Sequence, residues 1–383
     1  MRVPFNRPVV VGSEYEYMRD AIARLRISGD GYYTKRCSEW LEGSTGSSRA
    51  LLTTSCTHAI EMTALLLDIA PGDEIIMPSF TFVSTANAFV LRGARPVFVD
   101  LRADTLNIDE NALERAITPR TRAIVVVHYA GIACEMDAIC EIAKRHHIPV
   151  IEDNAHGLFA SYRDRPLGSF GTLATQSFHE TKNVMCGEGG ALLINDPSLI
   201  DRAEIIREKG TNRSRFFRGQ VDKYTWVEPG SSYLPSELLA AFLFAQLENA
   251  ETIQARRKHI WERYDRELAG WCERYEIRRP IVPAHCRQSY HLYYLLLRDG
   301  SERDALISHL AQLDVNSVFH YVPLHGSEYG IRLGYRPGDL PITESSSERL
   351  IRLPMYNDMS DEEIDRVVAS VQSFQPARYR VPA

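Results

Sequence analysis

The chain has 383 residues, with 44 Lys and Arg against 50 Asp and Glu, which gives a net charge of −6. This balance leaves no basic stripe for a phosphate backbone, so we expect no nucleic-acid partner. Seven scattered cysteines without paired spacing predict neither a metal centre nor a disulfide. The start, MRVPFNRPVV, has no signal-peptide pattern, and no window resembles a membrane span. A cytoplasmic protein without membrane contact is the resulting expectation.

Short apolar runs alternate with helical segments in the first part of the chain. Such runs are typical of strands that helices cover on both faces. Between the last two runs, Met136, Ile139, Ile142 and Ala143 form one apolar stripe, which predicts a crossover helix. This order predicts an α/β fold with a mostly parallel, doubly wound sheet. The runs are DEIIMPSF (73–80), RPVFVDL (95–101), RAIVVVHYAG (122–131) and IPVIED (148–153).

The pattern changes after about residue 235. Apolar residues keep helical spacing over 235–271, which predicts one bent helix or two helices in series leaving the large domain. The following run SYHLYYLLL, residues 289–297, reads as a strand. We therefore predict a large domain over residues 1–250 and a smaller C-terminal α+β domain over 251–383.

Two serines are predicted to begin helices of this smaller domain. Ser301 precedes Asp304 by three residues, and Ser360 precedes Glu363 by the same spacing. A serine followed at this distance by an acidic residue indicates a capping box, in which each side chain binds the other's backbone N–H.

Candidate ligand-binding residues follow the predicted strands, because open parallel sheets bind ligands beyond the carboxyl ends of their strands. After ALLTTS come Cys56, Thr57 and His58, and then a helical pattern. Small and hydroxylated residues at a helix start either bind a phosphate through free N–H groups or simply cap the helix. Asp153 ends a buried strand, where it either faces a cationic or hydrogen-bonding partner or caps the next turn.

Lys182 lies between an apolar strand and a glycine-rich run, in SFHETKNVMCGEGGALLI. A lysine near a buried sheet edge loses its proton more easily than a solvated one, as Schiff-base chemistry requires. A phosphate cradle, an acid for a ring nitrogen and a partly desolvated lysine are together what pyridoxal 5′-phosphate needs. The ordered set predicts that cofactor.

The chain resembles the DegT/DnrJ/EryC1/StrS sugar-nucleotide aminotransferases over residues 5–371. The resemblance implies the type I fold of pyridoxal-phosphate aminotransferases and a homodimer with active sites at the subunit interface. The motifs that carry it, in the expected order, are PSFTFVSTANA, VFVD, VVHYAG, EDNAH, SFHETKN and GEGGAL.

The resemblance also implies a role for individual residues. Lys182 matches the lysine that binds the cofactor covalently and transfers protons, and Asp153 matches the acid that pairs with the pyridine nitrogen. Phe82 matches the aromatic residue stacked on the ring, although a core position is its alternative. The other implied contacts are Cys56, Thr57 and Ser177 at the phosphate, and His156, which replaces a glutamine of many relatives beside a cofactor oxygen.

One stretch departs from the family pattern. Relatives carry Gly-x-Asn-Tyr-Arg, whose asparagine reaches the cofactor phosphate of the neighbouring subunit, whereas this chain has GSSYL over residues 230–234. Ser232 stands in place of the asparagine and Leu234 in place of the arginine. The contact between subunits is therefore lost, moved to Ser231 or mediated by water.

Substrate contacts are expected in two places. Gly29, Asp30 and Tyr32, in SGDGYYTK, match an N-terminal loop that lies near the sugar nucleotide in relatives, with an ordinary glycine turn as the alternative. His320, in HYVPLH, is expected on a loop that closes over the cleft. A basic run suits either a diphosphate or a solvated loop and contains Lys209, Arg213, Arg215 and Arg218.

The reaction implied by the resemblance transfers an amino group from L-glutamate to C4 of a nucleotide-linked 4-oxo-6-deoxy sugar. Transamination at C3 is an alternative that the cofactor motifs do not distinguish. Relatives that dehydrate or deoxygenate sugars replace the lysine or use an iron–sulfur cluster, and Lys182 and the scattered cysteines argue against that chemistry. A catalytically silent protein that binds the cofactor or a sugar nucleotide is the remaining alternative.

Overall fold

Helices and strands alternate along the chain in the computed structural model, which describes residues 2–379. In that part, the α-helices are α1 (Glu14–Ala23), α2 (Tyr32–Thr45), α3 (Cys56–Leu66), α4 (Val83–Val90), α5 (Glu110–Ala116), α6 (Met136–Arg145), α7 (Ile200–Arg207), α8 (Arg213–Phe217), α9 (Glu237–Glu248), α10 (Ala250–Tyr275), α11 (Gly300–Gln312), α12 (Glu328–Arg332), α13 (Pro341–Arg349) and α14 (Asp361–Gln372). The strands are β1 (Arg49–Thr53), β2 (Glu74–Pro78), β3 (Arg95–Val99), β4 (Thr121–Val127), β5 (Val150–Asp153), β6 (Ser161–Tyr162), β7 (Arg165–Pro166), β8 (Leu173–Ser177), β9 (Gly190–Ile194), β10 (Cys286–Arg287), β11 (Tyr294–Leu296) and β12 (Leu350–Arg352).

The central sheet has seven strands in the order β1-β9-β8-β5-β4-β2-β3. The pairs β2–β3, β2–β4, β4–β5 and β5–β8 are parallel, whereas β9 is antiparallel to both β8 and β1. This confirms the predicted mostly parallel α/β sheet. Asp153 pairs with Val127 on β4 and Thr175 on β8, so the carboxyl ends of three parallel strands lie side by side.

Helices cover both faces of the sheet, which explains the apolar strands. Ile124 and Val126 of β4 pack with Ile139 of the predicted crossover helix α6 on one face. Val125 packs with Ile60 of α3 on the other face. Burial of each such side chain contributes about 1.5–3 kcal/mol to the free energy of unfolding. Strands that are apolar on both faces are therefore most stable between the two layers of helices.

The long helical pattern forms two helices in series, α9 and α10, with Asn249 between them. The strand expected over residues 289–297 is shorter, because only β11 forms ladder bonds, with β12. A second core packs α10, α11 and α14 against this pair of strands, and Val3 from the N-terminal segment joins it. The domain division at residue 250 remains a prediction. Among the described residues, none of the helices combines the length and the apolar character that crossing a bilayer needs.

The two predicted capping boxes have different outcomes. Ser360 accepts a hydrogen bond from the Glu363 N–H, and the Glu363 carboxylate binds the Ser360 N–H, as predicted. The prediction for Ser301 is wrong, because α11 begins earlier and Asp299 caps it by accepting from the Glu302 N–H at 2.9 Å. A carboxylate one residue before the first helical glycine supplies the cap that was assigned to the serine.

Candidate active site

A cavity of about 530 Å³ opens where the carboxyl ends of β5 and β8 meet the first turns of α3 and α4. The structure brings eight of the predicted site residues together in its lining. They are Cys56, Thr57, Phe82, Asp153, His156, Ser177, Lys182 and His320. The placement is the one expected for a parallel sheet, and the roles of the individual residues remain predictions.

The start of α3 forms an anion cradle in this cavity. Ser55 caps the helix, and its hydroxyl accepts a hydrogen bond from the His58 N–H at 3.1 Å. The N–H groups of Cys56 and Thr57 have no intrahelical acceptor, because the first turn of a helix leaves its donors unpaired. A Cβ on Gly190 would lie 2.4 Å from the Cys56 nitrogen, so glycine there allows β9 to pass close to the helix start. Free donors at a helix N-terminus suit the phosphate of the predicted cofactor.

Asp153 lies buried at the end of β5. Its carboxylate accepts a hydrogen bond from the Thr85 hydroxyl at 2.7 Å and one from the Ala155 N–H at 3.3 Å. Burial raises the pKa of Asp153, and these hydrogen bonds and the charge of Lys182 oppose that rise. A protonated ring nitrogen opposite the carboxylate would stabilise its charged form, so the site fits the pyridine of pyridoxal phosphate.

Lys182 occupies the turn between β8 and β9. The backbone N–H of Lys182 donates to the His179 carbonyl at 2.9 Å. The backbone N–H of Cys186 donates to the Phe178 carbonyl at 2.9 Å and closes the turn. The Asn183 side chain ties the turn to the C-terminal part by donating to the Ser289 carbonyl at 2.7 Å. Removal of the ammonium from water lowers the pKa of Lys182 to about 8. An appreciable fraction of the amine is therefore neutral near physiological pH, as a nucleophile or base requires.

Three further predicted residues define the walls. His156 is buried with its ring 4.2 Å from that of His291, and Nδ1 of His156 has no partner among the described residues. Burial lowers the pKa of His156, so the ring is neutral and this nitrogen is available to a bound group. His320 contacts the Tyr129 hydroxyl through Nδ1 at 3.0 Å. Phe82 is 59% exposed at the cavity, so it is not a core residue.

Several lining residues were not predicted from the sequence. Thr85 had a signal, because it belongs to PSFTFVSTANA, one of the motifs used above. Arg352 had none, since an arginine in a short apolar strand far along the chain gives no sign of where it points. The residues added by the structure include Ser84, Thr85, His291, Tyr321 and Arg352.

Gly29, Asp30 and Ser232 lie outside this cavity, in a separate one of about 300 Å³. Asp30 forms an ion pair with the buried Arg207 at 2.6 Å. A Cβ on Gly29 would lie 2.3 Å from the Pro235 carbonyl oxygen, so close backbone packing explains this glycine. Ser232 stands where relatives carry the asparagine that reaches the neighbouring subunit, and its role toward a partner's cofactor stays a prediction.

Tyr32 lines neither of these two cavities; its ring lies 4.0 Å from the Arg24 guanidinium carbon. The cations of the basic run are paired with acidic residues of the same chain, Lys209 with Glu208 at 2.9 Å and Arg218 with Glu204 at 2.6 Å. Local pairing therefore accounts for these charges within the described chain.

Comparison with known proteins agrees with this geometry. The chain matches the model of the DegT/DnrJ/EryC1/StrS aminotransferase family over residues 11–372. It is 30% identical to the aminotransferase TlmJ from Streptoalloteichus hindustanus, covering 97% of this chain and 98% of that chain with a TM-score of 0.88. Spr1654 from Streptococcus pneumoniae, described as a candidate sugar aminotransferase and solved in its PLP form, is 27% identical (97% and 98% covered, TM-score 0.89).

A third structure has the same architecture. Helicobacter pylori PseC, an aminotransferase involved in the biosynthesis of pseudoaminic acid, is 26% identical, covers 97% of this chain and 98% of its own, and has a TM-score of 0.88. These likenesses confirm the predicted aminotransferase fold. Because the family match includes both the sheet that carries the cavity and the C-terminal core, the chain belongs to the DegT/DnrJ/EryC1/StrS aminotransferase family.

Proposed function

We propose that this aminotransferase moves an amino group from L-glutamate to C4 of a TDP-4-oxo-6-deoxy-D-glucose-type nucleotide sugar. The products are 2-oxoglutarate and a 4-amino-4,6-dideoxy sugar nucleotide, for which the galacto configuration is favoured. The cofactor is pyridoxal phosphate. The observation that carries the proposal is that Lys182 and Asp153 line one cavity together with the N-terminus of α3.

Two sequence motifs support the choice of substrate. SFHETKN together with PSFTFVSTANAFVLRGARPVFVD is similar to the TDP-4-oxo-6-deoxyglucose transaminase of enterobacterial common antigen synthesis. The description of Spr1654 as a candidate sugar aminotransferase favours the same substrate class. We therefore place the reaction in the synthesis of lipopolysaccharide or common-antigen sugars, carried out in the cytoplasm by a homodimer.

Two alternatives remain. Transamination at C3 requires only a different orientation of the sugar against the same residues. A catalytically silent binding protein has no need of the lysine and the acid, whereas Lys182 and Asp153 are both present at the cavity.

Each residue has a defined part in this reaction. When bound, pyridoxal phosphate supplies an electron sink for the substrate carbon and carries the amino group. The first turn of α3 and Ser177 would hold its phosphate, and Asp153 would keep its ring nitrogen protonated. Lys182 would remove the proton from the α-carbon of glutamate and later deliver one to C4 of the sugar. The face on which that proton arrives decides between galacto and gluco products.

The test is an absorbance titration of the purified protein. With pyridoxal phosphate present, we expect a band of covalently bound cofactor that L-glutamate abolishes and TDP-4-oxo-6-deoxyglucose restores. NMR of the product then distinguishes C3 from C4 and galacto from gluco. A band that glutamate removes and this sugar never restores would mean that the acceptor is wrong. If no band formed at all, the Lys182 assignment would fail and the binding-protein alternative would be preferred.

A further inference from the structure

Arg352 provides a positive charge in the cavity that the functions assigned above do not use. It ends β12 and lines the same cavity as Lys182. Its backbone is held on two sides, by pairing with Tyr294 of β11 and by hydrogen bonds in both directions with Val318, the shorter at 2.7 Å. The Phe5 ring lies 4.8 Å from its guanidinium carbon. The guanidinium is therefore attached to a rigid part of the fold.

The guanidinium of Arg352 has neither an ion pair nor a hydrogen bond within the described chain, and its Nε is buried without a partner. The nearby Arg257 differs, because its guanidinium donates to the carbonyl of Tyr290 at 2.9 Å and to the Asn357 side chain at 2.8 Å. A fully bonded arginine such as Arg257 is structural. Arg352 is half-buried, but its Nε is enclosed without a partner, which costs stability. Such an arrangement is expected where a ligand supplies the missing anion.

The histidines that line the cavity with Arg352 are neutral. His156, His291 and His320 are uncharged because burial lowers the pKa of each. The Asp153 carboxylate, at the end of β5, already accepts a hydrogen bond from the Thr85 hydroxyl. Asp153 and Glu188 also line the cavity, but neither forms an ion pair with Arg352. The guanidinium of Arg352 therefore has no counter-charge within the described chain, and the missing partner is an anion.

We propose that Arg352 binds a carboxylate of the amino donor and so positions the donor's α-carbon at Lys182. The inference rests on the proposed function, since it requires an amino-acid donor. A guanidinium presents two parallel N–H donors that match a carboxylate. The cofactor phosphate already has its cradle at α3. One arginine among neutral rings suits a single planar carboxylate better than a doubly charged diphosphate, which commonly needs several cations.

The variants Arg352→Gln and Arg352→Lys test this inference in the holoenzyme. Arg349→Gln is the matched control, because Arg349 lies three residues earlier at the end of α13, is also half-buried and donates to the Leu297 carbonyl outside the cavity. The first readout is calorimetric binding of glutarate, a dicarboxylate that cannot react. The second readout is the L-glutamate concentration that gives the half-maximal rate. The third is the rate at which the enzyme, loaded with pyridoxamine phosphate, reacts with the nucleotide sugar.

For Arg352→Gln we expect both glutarate affinity and the response to glutamate to weaken roughly 10- to 100-fold, the value of a charge-assisted hydrogen bond. The sugar reaction should stay within about twofold of wild type, and Arg352→Lys should recover part of the glutarate affinity. The melting temperature should change little, since the variant removes no hydrogen bond or ion pair within the described chain and loses only the contact with the Phe5 ring. L-glutamine and glutamate α-amide identify the carboxylate, because the effect of the variant disappears with the donor that lacks it.

Unchanged glutarate binding in Arg352→Gln would overturn the inference. So would an equal loss in both half-reactions, or a loss confined to the sugar reaction with weaker binding of TDP, which would assign Arg352 to the nucleotide diphosphate. If glutarate binding depends on Arg352 while the wild-type enzyme reacts with no nucleotide sugar, the donor site stands and the proposed acceptor fails.

Discussion

The Thr85 hydroxyl donates a hydrogen bond of 2.7 Å to Oδ2 of Asp153, and thus α4 supports the acid at the end of β5. Thr85 in turn contacts the Thr81 hydroxyl at 2.8 Å. The bond stabilises the charged form of a carboxylate whose pKa burial raises. Thr85 is therefore a positioning residue for the proposed contact with the cofactor ring.

Replacement of Thr85 by Val should weaken cofactor binding at acidic pH. Loss of the donor raises the pKa of Asp153 further, so the carboxylate becomes protonated at a higher pH. The pH below which cofactor affinity falls should therefore be higher in the variant. We expect kcat/KM to fall roughly 10-fold, the value of about 1.4 kcal/mol for one buried hydrogen bond to a charge. Cofactor affinity measured by fluorescence between pH 5 and pH 8 checks the shift. Thr85→Ser keeps the hydroxyl, and an identical shift in that variant would contradict the explanation.

Lys182→Ala should abolish turnover while the protein still binds the cofactor. The alanine variant loses the covalent attachment and the base, but the N-terminus of α3 and Asp153 remain. Steady-state assay and equilibrium dialysis with pyridoxal phosphate measure the two properties separately. Activity near that of wild type would contradict the proposed role. Restored activity on addition of a small primary amine would support it, because such an amine replaces the missing base.

The rate at which the apoenzyme attaches pyridoxal phosphate should depend on pH with a midpoint near the Lys182 pKa of about 8. Only the neutral amine attacks an aldehyde, so the rate rises about tenfold per pH unit below this value and levels off above it. Stopped-flow absorbance between pH 6 and pH 10 measures the profile. A midpoint close to 10.5, the ordinary lysine value, would show that the cavity does not desolvate the amine.

Glu237→Gln should destabilise the fold around the predicted substrate loop. The buried carboxylate of Glu237 accepts hydrogen bonds from the N–H groups of Gly31 at 2.9 Å, Tyr33 at 2.8 Å and Thr34 at 3.1 Å. An amide accepts with only one oxygen, so we expect a loss of roughly 2–3 kcal/mol in the free energy of unfolding. Urea unfolding measures it. Glu248→Gln, an exposed position on the same helix, should change stability by less than about 0.5 kcal/mol.

Ser232→Ala tests the expected contact between subunits. If Ser232 reaches the partner's cofactor phosphate directly, the variant should bind pyridoxal phosphate roughly 5- to 10-fold more weakly and remain dimeric in sedimentation. Ser231→Ala is the matched control at the neighbouring hydroxyl. A loss seen only in the Ser231 variant would move the contact to that residue, and a monomeric wild-type protein would contradict the proposed assembly.

The sequence by itself determined the elements whose stability is local. The parallel sheet follows from apolar strands alternating with the stripe of α6, and the capping box at Ser360 agrees with the spacing of Ser360 and Glu363. Residues at or shortly after strand ends, such as Asp153 and Lys182, could also be assigned to one edge, because parallel strands align their carboxyl ends. Where two local signals competed, as at Asp299 and Ser301, the sequence did not distinguish them.

Only the tertiary structure decided which distant side chains join this edge. Arg352 lies far along the chain from Lys182 and reaches the cavity because the β11–β12 pair packs against residues that follow the central strands, such as Phe80 and Tyr129. The sequence also does not show that the Arg352 guanidinium lacks an ion-pair partner, since pairing depends on distances in the folded chain. Likewise, only the folded chain shows that Gly29 and Ser232 line a cavity separate from that of Lys182. Periodicity records which face of an element is buried, whereas the contacts between faces are set by the packing of the whole chain.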